Sequence, residues 1–109
     1  MKSVLIAVAA IFAVSVFVMT GFADDTQKES SGESAFNEYC MVCHPGGNNI
    51  FNPSKTLHKN DLVANNIKTP EDIVKIMRNP GPQMTQFSKN DIPDNTAKEI
   101  AEYILKNLR

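Results

Sequence analysis

An all-α fold is predicted by two helical patterns and one absence. Ala97, Ile100, Ala101, Ile104, Leu105 and Leu108 recur at i, i+3, i+4, i+7, i+8 and i+11, an apolar stripe at the helical period. Thr69, Pro70 and Asp72 form a helix start in capping-box spacing, with Pro80 as the stop. No segment shows a convincing apolar-polar alternation of the kind a half-buried strand needs, and no internal repeat is visible.

Four helical segments follow in order. The first is predicted over 31–40, opened by Ser30 with Glu33 at box spacing and with Phe36, Tyr39 and Cys40 on one side. A short second helix runs from Thr56 or Asn60 to Ala64. The third, capped by Thr69, carries Ile73, Val74, Ile76 and Met77. The last begins between Pro93 and Thr96 and runs almost to Arg109; its stripe is read as core, with Tyr103 at the edge.

Three regions are expected before and around these helices. Lys2, the apolar run from Val4 to Met19 and the small residues of Gly21-Phe22-Ala23 read as a secretory signal over 1–23. The alternative is a retained membrane anchor, since the run lies between a long signal core and a short span. No cysteine near Ala23 offers a lipoprotein anchor. Residues 24–31 are wholly polar and read as a disordered spacer, leaving 32–109 as one domain. A periplasmic location follows from export. The net charge of −1 excludes the basic footprint of a nucleic-acid binder.

The chain holds two cysteines, and both lie in Cys40-Met41-Val42-Cys43-His44. C-x-x-C-H is the attachment sequence of a c-type haem. Thiols three residues apart on a helical turn project from one face and can form thioethers to one porphyrin edge. His44 then supplies the proximal nitrogen. A thioredoxin-like pair wants a strand-helix-strand context, and a zinc site wants further ligands at spacing; neither is seen. With both cysteines taken by one haem c, no other staple remains. The haem is expected to act as the missing core, and the haem-free chain to be largely unfolded.

The sixth ligand separates electron carriage from chemistry at an open iron. Met41 lies inside the attachment turn, Met77 in the third helix's stripe, and Met1 and Met19 in the signal. Met84 sits in the non-helical segment Asn79-Pro80-Gly81-Pro82-Gln83-Met84-Thr85-Gln86-Phe87, stiffened by two prolines, and is the leading candidate. His58, in a polar stretch, is the rival, and an open site is the third possibility. His58 near the propionates would make the potential pH-dependent.

The attachment sequence, Gly46-Gly47-Asn48-Asn49, Lys55-Thr56-Leu57, Gly81, Met84, Phe87 and Ala101-Glu102-Tyr103-Ile104-Leu105 together resemble a small class I cytochrome c of the cytochrome c6 type, over essentially all of the domain from Gly32. The resemblance implies three to five helices wrapped around one covalently attached haem, with Gly32 and Phe36 meeting Tyr103 where the first and last helices cross. It implies His44 and Met84 as iron ligands and Pro53 as the carbonyl receiving the His44 ring N–H. Thr85 stands where the family commonly has proline. The implied function is a soluble periplasmic one-electron carrier, monomeric, docking transiently with redox proteins at an uncharged haem edge near Val42, Cys43, Gln83, Thr85 and Gln86. Two other functions are weighed beside it: a membrane-tethered module of a respiratory complex, and an open-site haem enzyme or gas sensor.

Overall fold

The computed structural model describes residues 30–109, so the signal expectation and nearly all of the polar spacer lie outside the described residues. Four α-helices are present, α1 Ser31–Tyr39, α2 Lys59–Ala64, α3 Pro70–Arg78 and α4 Asp94–Asn107, with a 3-10 turn at Pro45–Gly47 and no strand among the described residues.

The predicted starts and stops have visible causes. Ser30 Oγ accepts from the Glu33 N–H at 3.2 Å, satisfying one of the donors that open α1. At α3 the box is complete: Thr69 Oγ1 accepts from the Asp72 N–H, and the Asp72 carboxylate accepts from the Thr69 N–H at 3.0 Å. The Lys68 and Thr69 N–H groups hold the Asp72 carboxyl below the usual carboxylate range. α3 ends at Arg78, two residues before Pro80, which cannot continue it. α2 is a single short helix, and its Asp61 accepts from the Thr56 hydroxyl and N–H, which lower its pKa and tie the preceding loop to the helix.

α4 is the hub, packing on both α1 and α3. Ala97, Ile100, Ala101 and Ile104 are buried, as their spacing predicts, while Leu105 and Leu108 are partly buried at the edge. Phe36, Ile92, Ile100 and Ile104 are the largest fully buried side chains. Phe36 meets Tyr103 at a ring-centroid distance of 5.4 Å, tilted by 47°, so the expected crossing of the first and last helices is present.

Gly32 is what lets the two helices cross so closely. A Cβ there would overlap the Glu99 carbonyl oxygen and come within 3.2 Å of Tyr103 Cβ. Backbone cannot yield as a side-chain end can, so Gly32→Ala is expected to cost about 2 kcal/mol and lower the Tm of the haem-bound protein by roughly 10 °C. Thermal unfolding checks this, and an unchanged Tm would show that the helices can part without loss.

Candidate functional site

Four separated stretches of chain form the walls of one cleft. The turn after α1 contributes Cys40, Cys43 and His44, the loop before α2 contributes Phe51, Lys55 and Leu57, α3 contributes Ile73, Ile76 and Met77, and the loop after α3 contributes Met84 and Phe87. Ile104 of α4 closes the back. The cleft measures about 480 Å³, within the range of roughly 300–1,000 Å³ common for cofactor sites. Lys55 is the one charged side chain among its lining residues.

The attachment turn is an extension of α1. Cys40 caps that helix, its N–H bonded to the Phe36 carbonyl, and the His44 N–H bonds to the Cys40 carbonyl at 2.8 Å. Both cysteines are half-buried and unjoined. Burial, with the neighbouring Cys43, pushes the Cys40 thiol up to about 11. A neutral sulfur is therefore what this position favours, and a thioether is neutral at every pH.

His44 Nδ1 lies 2.9 Å from the Asn48 carbonyl oxygen. A carbonyl only accepts, so Nδ1 carries the proton and Nε2 keeps its lone pair free for a metal. The acceptor is thus Asn48, four residues on, rather than Pro53. The physical reason is the 3-10 turn. Gly46 at φ 60° and Gly47 at φ 87° fold the chain back so that the Asn48 carbonyl comes under the ring. A side chain at Gly47 would be strained by that φ and crowded as well, since a Cβ would lie 3.2 Å from Leu108 Cδ1 and 3.3 Å from His58 Cε1.

Asn49 shapes the next wall. Its Oδ1 accepts from the Phe51 and Asn52 N–H groups, both at 3.0 Å, and its Nδ2 donates to the Lys55 carbonyl at 3.0 Å. In sequence Asn49 is one member of the Gly46-Gly47-Asn48-Asn49 run, and nothing there singles out its side chain. Its only signal is the tendency of Asn to bond backbone groups two or three residues on.

Met84, half-buried, lines the same cleft as His44, and so does the buried Met77. Met77 packs in the core, as its place in the stripe predicts. His58 is not among the lining residues. Its ring is turned the other way, with Nδ1 3.1 Å from the Arg109 carbonyl oxygen and Nε2 3.1 Å from Asn48 Oδ1.

The donor set fits a covalently held haem: two sulfurs on one edge, an imidazole with its lone pair free, a thioether from a distant loop, and apolar walls between. Among the described residues no group of three or more His, Cys, Asp or Glu side chains is arranged to hold a bare metal ion. Among the same residues no helix is long and apolar enough to cross a membrane.

Residues 27–104 match the family model described as cytochrome c oxidase, cbb3-type, subunit III. The chain is 39% identical over 74 residues to cytochrome c6 of Cyanidium caldarium, covering 68% of this chain and 66% of that one. It is 35% identical over 103 residues to cytochrome c6 of Pyropia yezoensis, covering 94% of this chain and 89% of that one. Among solved structures, outer membrane cytochrome F of Geobacter sulfurreducens superposes with a TM-score of 0.69 at 38% identity, covering 72% of this chain and 99% of that chain. Cytochrome c6 of the diatom Phaeodactylum tricornutum superposes with a TM-score of 0.62 at 31% identity, over 69% and 87%.

Proposed function

Because the chain belongs to the class I c-type cytochromes, in the group of cytochrome c6 and its relatives, we propose that it is a one-electron carrier closed on both sides of its haem by His44 and Met84. Its role is carriage rather than catalysis. The observation that carries the reading is the convergence of Cys40, Cys43, His44 and Met84 on one cleft from the turn after α1 and the loop after α3.

Haem c held there through two thioethers supplies the one-electron couple of its iron. The protein's own part is to hold that group still. Cys40 and Cys43 fix one edge. The Asn48 carbonyl holds the His44 ring in one tautomer and makes its Nε2 a stronger donor. The apolar walls would limit water around the bound group, and the His44 imidazole with the Met84 thioether as iron ligands would favour the reduced state and raise the potential.

Electrons are proposed to pass at the rim formed by Val42, Cys43, Gln83 and Thr85, where Val42 is 81% exposed. That rim is uncharged, which favours brief docking to redox proteins through a small uncharged patch, the carrier itself a monomer. Membrane and nucleic acid are not proposed as partners, and the location is proposed to be periplasmic.

The test is a potentiometric titration of the purified protein with its reduced spectrum recorded under carbon monoxide. A single one-electron wave and a spectrum unmoved by the gas are expected. Ready binding of carbon monoxide would replace the carrier with the open-site reading. The description of the matched family model favours one second reading, a module of a respiratory oxidase tethered through residues 4–19. The mass of the mature protein decides it, since a tether keeps the N-terminus that a signal loses.

A further inference from the structure

We propose that Arg78 is a positioning residue for Met84: its guanidinium clamps the downstream end of the Met84 loop and so sets how readily the thioether can leave the iron. The inference rests on Met84 as the sulfur ligand proposed above.

Arg78 is the last residue of α3, and its side chain is only 20% exposed. Nη1 donates to two successive loop carbonyls, Phe87 at 3.1 Å and Ser88 at 2.9 Å. Nη2 donates to Asp94 Oδ1 at 2.9 Å, at the first turn of α4. The main chain adds to the same knot. The Arg78 carbonyl accepts from Gln86 Nε2 at 2.9 Å, and the Met77 carbonyl accepts from the Phe87 N–H at 2.9 Å. Residues 86, 87 and 88, which follow Met84 almost directly, are therefore all returned to the end of α3. Upstream the hold is weaker: the Met84 N–H reaches the Gly81 carbonyl at 3.3 Å, and residues 81–83 are exposed.

The type of side chain matters. A charged donor bonds a carbonyl more strongly than a neutral one does, and only the planar fork of arginine can span two carbonyls and a carboxylate at once. Lysine presents its donors from a single point. The buried Arg78 Nε–H finds no partner among the described residues, so the hydrogen bonds that orient the guanidinium are those of Nη1 to the loop and of Nη2 to Asp94. The carbonyl contacts are the specific part. Asp94 is 62% exposed and also faces Lys89 at 3.2 Å, so its pairing with Arg78 is solvent-screened.

An external ligand reaches the iron only in the fraction of molecules whose thioether has withdrawn, and its apparent affinity scales with that fraction. Freeing the Phe87 and Ser88 carbonyls raises the fraction without touching either iron ligand.

The test titrates imidazole into the ferric holoprotein and follows the loss of the weak far-red band that methionine sulfur gives on ferric haem, for wild type, Arg78→Gln, Arg78→Lys and Asp94→Asn, with a thermal melt of each. The expected result is that Arg78→Gln binds imidazole about tenfold tighter or more, Arg78→Lys is intermediate, and Asp94→Asn stays within about twofold of wild type. Should Arg78→Gln fail to accumulate with haem, Arg78→Lys carries the same comparison, because it keeps the charge and loses the fork. A merely structural role would lower the Tm of the Arg78 variants and leave their imidazole affinity at the wild-type value, which overturns the proposal. Asp94→Asn matching Arg78→Gln also overturns it, by moving the effect to the ion pair. A wild type with no far-red band fails one step earlier, at Met84 itself.

Discussion

Met84→Ala is expected to abolish the far-red band of the ferric protein, to let the reduced protein bind carbon monoxide, and to lower the midpoint potential by on the order of 0.2 V, a fraction of the roughly 0.8 V over which axial ligands set haem potentials. The thioether is a soft ligand that favours ferrous iron, and alanine leaves water or nothing in its place. The fold should survive, because Met84 is only half-buried and belongs to a loop whose ends are tied elsewhere. The informative control is Met77, which lines the same cleft but is 3% exposed and packed in the core. Met77→Leu is expected to keep the band, because leucine fills similar volume and the ligand is untouched. A band that persists in Met84→Ala and vanishes in Met77→Leu would exchange the two assignments. Spectra of the two ferric variants and of their reduced forms under carbon monoxide decide it.

The double change Cys40→Ser with Cys43→Ser is expected, in haem-free material, to remove the cooperative melt and to lower the helical circular-dichroism signal at 25 °C by about half or more. The cleft explains the size of the effect. Without haem, a cleft of about 480 Å³ with mostly apolar walls stands open to water, and the apolar surface that haem would bury is exposed. A domain this small has little other core to offset that loss. α2 is the most exposed to the loss. It is six residues long, too short to persist alone, and Leu62 is its one buried residue. A sharp melt with undiminished helicity in the haem-free double variant would show instead that the α1, α3 and α4 packing suffices without the haem.

Different parts of the site were legible to different degrees. α3 and α4 could be read almost to the residue, because a capping box and an apolar stripe are interactions among near neighbours in the chain. The sequence places the start of the short α2 only loosely, at Thr56 or Asn60, where the helix begins at Lys59, since six residues carry too little periodicity. Residue type alone makes His58 a candidate ligand or haem-linked titrating group. Its ring is held by a residue 51 positions away, and no local pattern reports that. The Pro53 expectation failed because the φ values of two successive glycines fold the chain back and bring the Asn48 carbonyl to the ring, and residue type alone does not report that path. Nothing in the sequence singles out Arg78 from any other cation in the last turn of a helix, where it complements the helix dipole. That its fork turns inward to two loop carbonyls became visible only once the path of residues 79–88 was known.

By itself the sequence determined that the chain carries haem-attachment chemistry, which nitrogen lies beside the thiols, and where the two strongest helices start and stop. Each is a matter of residues within one or two turns of one another, whose relative positions are dictated by helix geometry and turn preference. The tertiary structure decided which carbonyl fixes the His44 tautomer, that Met84 and not His58 faces the cleft, and which side chain ties down the Met84 loop. Met84 lies forty positions from His44, and His58 is tied to Asn48 and Arg109; nothing short of the packing of α4 on α1 and α3 brings such distant groups to one place or keeps them apart.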